Sequence, residues 1–233
     1  MKKNEKDAWK IWAVTIFLFG LVVVATIRVS TLPVLNFTAP GSKAHIVLDP
    51  GHGGFDPGKV GTAGTLEKDI NLAISLKLKE ILVKSGYTVT MTRQKDEALC
   101  EQNASRKKVS DLNARLDLIQ KEEPELTVSI HQNSYSAGTK GAQVFYYSQS
   151  EDGHRLARVL QETLKEEIGD GNHRVEKAND SYYMLKKSQG PFVIVECGFL
   201  SNPEEEKLLN SEDYQKKMAK ALAEGIEKFL YND

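Results

Sequence analysis

Short apolar runs alternate along the chain with longer segments that carry an apolar residue at every third or fourth position. The short runs are rich in β-branched residues and predict strands at 44–48, 87–91, 126–130, 142–147 and 192–195. The longer segments predict amphipathic helices over 66–85, 109–119, 156–168 and 214–231. We expect Thr65 to be the N-cap of the first helix. This alternation predicts an α/β fold, a single domain with a mostly parallel, mixed sheet and helices on both faces.

The N-terminal part of the chain has a different pattern. Residues 1–10 are rich in lysine, residues 11–27 form an uncharged, mainly apolar run, and Arg28 ends that run. We expect one transmembrane helix at 11–27, a signal anchor with residues 1–10 in the cytoplasm. A cleaved signal peptide is the alternative, but the run exceeds a usual signal core and no clear cleavage site follows it. Residues 28–42 then form a linker, and residues 43–233 form a folded domain outside the membrane.

Composition and charge narrow the functional classes. Of the 233 residues, 27% are charged and 40% are hydrophobic, which is ordinary for a globular protein. The net charge of −1 gives no electrostatic reason to expect nucleic acid as a partner. The two cysteines, Cys100 and Cys197, form neither a disulfide framework nor a zinc ribbon.

Two histidines and a glutamate stand where predicted strands end. His52 follows the first strand in a glycine-rich loop, His131 ends the third strand, and Glu196 ends a late strand. The carboxyl ends of parallel strands share one edge of a sheet, where open α/β folds bind their ligands. Glu67 opens the helix that returns from the His52 loop, so it should face the same edge. His52, Glu67 and His131 are therefore predicted zinc ligands, in the three-ligand pattern of catalytic sites.

Each of these residues also has an ordinary explanation. A histidine in a loop is usually solvated, His131 could be satisfied by a hydrogen bond, Glu67 could stabilise a helix start, and Glu196 could pair with a lysine. The ligands are scattered through the sequence, whereas a structural zinc site would use closely spaced pairs, so the set favours a catalytic centre. Glu196 is then the predicted catalytic base. Cys197 should point to the opposite face as an inert thiol.

Five motifs spread over residues 44–231 point to one family. They are LDPGHGG at 48–54, the helix-opening Glu67, TR at 92–93, SIHQNS at 129–134 and VECGFLSNPEE at 195–205. Together they resemble the zinc-dependent N-acetylmuramoyl-L-alanine amidases of bacterial cell walls. The resemblance implies that residues 43–233 are a zinc amidase domain and that peptidoglycan is the substrate. It also implies zinc on His52, Glu67 and His131, Glu196 as the catalytic residue, and cleavage between muramic acid and L-alanine.

A narrower resemblance rests on the membrane segment, the single bare domain and Gln132 directly after the predicted ligand His131. These features are similar to the spore-cortex, germination-specific amidases of endospore-forming bacteria. They imply removal of stem peptides so that a deacetylase can lead on to muramic δ-lactam, with the domain held between the forespore membranes. A requirement for an accessory activator protein stays open.

Other roles and other classes of protein are left open by the sequence. Asp49, Asn133 and Arg115 are candidates for orienting the histidines, and the tyrosines at 135, 182 and 183 are candidates for stacking on sugar or peptide. Another zinc-dependent wall peptidase or deacetylase would share the same ligands. A non-catalytic, membrane-tethered scaffold is the non-enzyme alternative.

Overall fold

The computed structural model describes residues 43–101, 103–169 and 171–231. The predicted cytoplasmic end, transmembrane segment and linker lie outside these residues. Within the described part of the chain, no helix combines the length and the apolar character that a membrane span requires.

The domain is built on one sheet of six strands. The strands are β1 (His45–Pro50), β2 (Thr88–Met91), β3 (Leu126–Asn133), β4 (Gln143–Tyr146), β5 (Lys177–Ala178) and β6 (Phe192–Phe199). Their spatial order is β2-β1-β3-β6-β4-β5, and every neighbouring pair is parallel except β4 with β6. The predicted mostly parallel, mixed sheet is therefore confirmed, and β1, β3 and β6 lie side by side.

Helices cover both faces of this sheet, as predicted. They are α1 (Glu67–Lys84), α2 (Lys107–Glu122), α3 (Glu151–Ile168), α4 (Tyr183–Lys187), α5 (Pro203–Leu209) and α6 (Glu212–Tyr231). The larger core lies under α1, α3 and α6, and the smaller core lies under α2 and α4.

Alternating side chains of the strands supply both cores. Ile46 and Leu48 of β1 are fully buried in the larger core, whereas Val47 between them is buried in the smaller one. Burying a side chain of this size stabilises the fold by about 1.5 to 3 kcal/mol. Because both faces of the sheet are covered, its strands are continuous apolar runs in the sequence.

The structure corrects some details of the sequence prediction. The N-cap of α1 is Leu66, not Thr65, and it makes no side-chain cap hydrogen bond. The Thr65 hydroxyl instead accepts a hydrogen bond from Asn210 Nδ2 at 2.7 Å. The short elements β5, α4 and α5 were not predicted, because two to seven residues are too few to show a clear periodicity.

Candidate metal centre

The loop after β1 brings His52 back over the end of the sheet. His52 has a φ of 60°, an uncommon value for a residue other than glycine. Gly51 packs directly on the imidazole of His131, so that a Cβ atom placed there would lie 2.2 Å from His131 Cε1. Only glycine allows this approach without moving the ring, which gives the first glycine of the loop a specific role.

His52, Glu67 and His131 meet at the carboxyl edge of the sheet. His52 Nε2 lies 3.2 Å from Glu67 Oε1, and His131 Nδ1 lies 2.9 Å from the same oxygen. The rings of the two histidines are in edge-to-face contact, with centroids 4.9 Å apart. The structure thus brings together the three residues that the sequence predicted as ligands.

This arrangement fits a zinc ion. One donor atom from each residue lies within 4.8 Å of the other two. In a tetrahedral site with bonds of about 2.0 to 2.2 Å, donor atoms are roughly 3.3 to 3.6 Å apart, so small side-chain movements would seat the ion. Two imidazole nitrogens with one carboxylate oxygen form a ligand set typical of catalytic zinc, which keeps a coordination position for water.

Glu67 is held in its ionised form. Its side chain is almost fully buried, which alone would raise its pKa, but hydrogen bonds from His131 and His52 and their positive charges hold that pKa far below the ordinary value. Backbone amides of Lys59 and Gln132 donate to its two oxygens at 2.7 and 3.1 Å. Because hydrogen-bond donors hold both of its oxygens, the negative charge of Glu67 has a fixed position.

Asp56 orients His52, a role that the sequence analysis missed. Asp56 Oδ2 lies 2.9 Å from His52 Nδ1, which leaves Nε2 turned toward Glu67. A carboxylate on the second nitrogen of a metal-binding histidine fixes the orientation and tautomer of its ring. A signal was present, because an aspartate four residues after the histidine in a glycine-rich loop can fold back on it.

A buried arginine braces the same loop. Arg115 Nη2 donates to the carbonyl of His52 at 2.6 Å, and Arg115 Nη1 donates both to the carbonyl of Pro50 and to Asp49 Oδ1 at 2.8 Å. Asp111 pairs with Arg115 Nε at 2.7 Å. Of the three candidate orienting residues, Arg115 thus holds the backbone of the His52 loop, and Asp49 pairs with Arg115.

The third candidate, Asn133, is not seen to orient a histidine in the described part of the chain. It lines the cavity described below, and its side-chain carbonyl accepts a hydrogen bond from the amide of Ser134 at 2.8 Å. Among the described residues, Asp56 is the one outside the cluster that accepts a hydrogen bond from a ring of the two cluster histidines.

Glu196 lies beside the cluster without belonging to it. It pairs in register with His131 across β3 and β6, and its side chain is 7% exposed. Within the described residues, its buried Oε2 has no hydrogen-bond partner. Burial raises its pKa to about 7, with the charge of Glu67 adding to the rise and that of His131 opposing it. Glu196 is thus a carboxyl group that can gain or lose a proton near neutral pH.

Cys197 points away from this site, as predicted. It is fully buried in the larger core, whereas Ile194, two residues before Glu196, belongs to the smaller core. Burial raises the pKa of its thiol, so Cys197 stays protonated. A protonated thiol on the far face has no access to the metal ligands.

A cavity of about 480 Å³ opens over the cluster and Glu196. Part of its wall is apolar or aromatic, from Leu112, Tyr182, Tyr183, Met184 and Ile194. Tyr182 and Tyr183 thus line the cavity, and their contact with a substrate stays a prediction. Tyr135 is 80% exposed and lies outside the lining of this cavity.

The fold and the site together define an open α/β domain in which two histidines and one glutamate form a cluster that fits a metal ion, with a carboxylic acid beside it. The chain belongs to the N-acetylmuramoyl-L-alanine amidase family, whose sequence model matches residues 46–228. It is an amide hydrolase of peptidoglycan, which confirms the family predicted from the motifs.

Three amidases within the family are similar to this chain along most of its length. A germination-specific N-acetylmuramoyl-L-alanine amidase of Bacillus subtilis strain 168 is 36% identical over 198 residues, covering 83% of this chain and 83% of that protein. The CwlD amidase from Clostridioides difficile, solved in complex with the GerS lipoprotein, is 42% identical with a TM-score of 0.79, covering 82% of this chain and 100% of that one. The amidase AmiC2 of Nostoc punctiforme is 33% identical with a TM-score of 0.72, covering 82% of this chain and 98% of that one.

Proposed function

We propose that this amidase holds zinc on His52, Glu67 and His131 and uses Glu196 to move protons while it cleaves the bond between N-acetylmuramic acid and L-alanine. One observation carries the proposal. The buried carboxyl group of Glu196, whose Oε2 has no hydrogen-bond partner among the described residues, lines the same cavity as His52, Glu67 and His131. A buried acid without a partner is costly for stability, which indicates that a reaction uses it.

The site residues divide the chemistry between them. Bound zinc would supply a Lewis acid that polarises the amide carbonyl and lowers the pKa of a water molecule. Glu196 accepts the proton of the attacking water on its carboxylate and returns it to the departing nitrogen of alanine. A pKa of about 7 suits both steps, because a general acid–base catalyst is most effective near the pH at which it works. Asp56 holds the ring of His52 in place throughout.

Digestion of purified peptidoglycan followed by mass spectrometry tests this function. We expect stem peptides with a free L-alanine amine together with glycan that retains intact N-acetylmuramic acid. Activity should disappear with a zinc chelator and return when zinc is added. Cleavage inside the stem peptide would favour a zinc-dependent peptidase, and release of acetate would favour a deacetylase. If no product forms with zinc present, the non-catalytic scaffold is favoured.

The spore-cortex role is part of the same proposal. It is supported by similarity to the germination-specific amidase of Bacillus subtilis and to CwlD. We propose that a deacetylase acts on the product to give muramic δ-lactam and, because CwlD was solved with a lipoprotein, that an accessory protein of this kind binds here too. Cortex from a deletion strain should lack muramic δ-lactam, and normal δ-lactam content would contradict the role.

The location of the domain is likewise proposed. The lysine-rich residues 1–10 before the apolar run 11–27 support a single-pass anchor with the domain outside the cytoplasmic membrane. Protease added to intact protoplasts of non-sporulating cells that produce the protein should remove the domain. A domain that is protected in intact protoplasts and degraded only after lysis would contradict this orientation.

A further inference from the structure

Lys59 is fixed at the edge of the metal centre by its backbone. Its amide donates to Glu67 Oε2 at 2.7 Å, and its carbonyl accepts from the amide of Glu67 at 3.0 Å. Both the amide and the carbonyl of Lys59 are thus bonded to Glu67, a predicted zinc ligand. The Cα atom of Lys59, from which the side chain extends, is therefore held at a fixed place beside Glu67.

The charge of Lys59 is free to meet a ligand. Nearby lysines are paired: Lys68 Nζ lies 2.6 Å from Asp96, and Lys108 Nζ lies 3.0 Å from Asp56. In the described part of the chain, Lys59 forms no side-chain ion pair. Its side chain is exposed and lines the same cavity as the three predicted ligands and Glu196.

Lys59 differs in charge from the other side chains that line the cavity. Glu67 and Glu196 line it, and of the lining residues described here Lys59 is the one lysine or arginine. The stem peptide of peptidoglycan is acidic, with carboxylates beyond its first L-alanine. With the scissile amide at the zinc ligands, a carboxylate farther along the stem can meet the ammonium group of Lys59, which is flexible enough to follow it over several ångströms.

We propose that Lys59 binds a carboxylate of the stem peptide and makes this amidase prefer acidic stems to stems whose carboxylates are amidated. The inference rests on the proposed function, since it places the stem peptide in this cavity. Lys59 is then a residue that contacts substrate away from the bond that is cut. Because the pair forms near water, its contribution should be modest, about two- to fivefold in affinity.

The test compares two purified muropeptides that differ only in whether the carboxylate next to the L-alanine residue is free or amidated. Lys59→Met removes the charge and keeps the length of the side chain, Lys59→Arg keeps the charge, and Lys220→Met is the control at an exposed lysine on α6. We expect Lys59→Met to raise KM about two- to fivefold for the acidic substrate alone, with kcat and zinc content unchanged. Lys59→Arg should restore most of the preference, and high salt should reduce it.

Three results would overturn the inference. An equal loss on both substrates would mean that Lys59 acts on Glu196 or on the loop rather than on the carboxylate. No effect of Lys59→Met on either substrate would mean that the lysine is merely solvated. Failure of the zinc-loaded wild-type protein to cleave either muropeptide would contradict the proposed function, and this inference with it.

Discussion

At the scale of single residues, the site consists of polar groups with clearly different surroundings. Glu67 receives hydrogen bonds from the backbone and from both histidines, so it stays ionised and suits a metal ligand. Glu196 is also buried, but its Oε2 has no hydrogen-bond partner in the described part of the chain, and burial raises its pKa to about 7. Two glutamates at one edge of the sheet are thus assigned different roles by their environments.

Removing the carboxylate that orients His52 should weaken zinc binding. In Asp56→Ala, the ring of His52 loses its 2.9 Å partner and can rotate away from the cluster. We expect zinc affinity to fall by about 10- to 100-fold, the usual effect of losing such a group. Competition with a chromogenic chelator measures it.

Asp117→Ala is the matched control, because Asp117 is exposed on α2 and outside the cavity lining. Its zinc affinity should equal that of the wild type. Unchanged affinity in Asp56→Ala would remove Asp56 from the metal centre.

At the scale of the elements, the site depends on how the loop after β1 packs against β3. Gly51 touches the ring of His131, while Arg115 of α2 holds the loop by its carbonyl groups. The predicted metal ligands are therefore held by contacts between elements as well as by the loop, helix and strand that carry them.

Adding one methyl group at the loop should displace a ligand. In Gly51→Ala, the new Cβ would lie 2.2 Å from His131 Cε1, and the ring must move. We expect zinc affinity and activity to fall together, with a loss of stability of about 1 to 3 kcal/mol from overpacking. Zinc titration and denaturant unfolding measure the two effects.

Gly138→Ala is the control, since a Cβ there meets nothing within 4 Å. It should bind zinc and unfold like the wild type. A Gly51→Ala protein with normal zinc affinity would show that the loop can shift without disturbing His131.

The buried pair of Asp49 and Arg115 predicts a pH dependence of stability. Burial would raise the pKa of Asp49, but Arg115 and hydrogen bonds from Thr92 and Ser129 lower it from 3.8 to about 2. A lowered pKa stabilises the fold above the unfolded-state value, and this stabilisation is lost as the pH falls from about 4 to about 2. It is on the order of 2 to 3 kcal/mol.

Asp49→Asn should therefore be less stable than the wild type near pH 7, and the difference should narrow below pH 4. Urea unfolding at several pH values measures it. A difference that stays constant from pH 7 to pH 3 would contradict the assigned ionisation of Asp49.

At the scale of the whole molecule, the parallel sheet explains which parts of the site could be predicted from the sequence. Apolar runs that end in His52, His131 and Glu196 were enough to infer a shared edge, because adjacent parallel strands end together. Asp56 and Gly51 were not assigned roles, because their roles arise from a loop that has no periodic pattern. The hydrogen-bond partners of Arg115 could not be predicted, because they depend on how α2 packs on the sheet, which a single sequence does not specify.

The central claim is that His131 holds the metal while Glu196 moves the proton, and zinc content measured together with turnover tests it most directly. Glu196→Gln keeps the shape of the side chain but cannot accept a proton, so activity should fall by roughly 10²- to 10⁴-fold with zinc fully bound. His131→Ala and His52→Ala should lose zinc and activity together. Loss of zinc from Glu196→Gln, or near-normal turnover by that variant, would contradict the account.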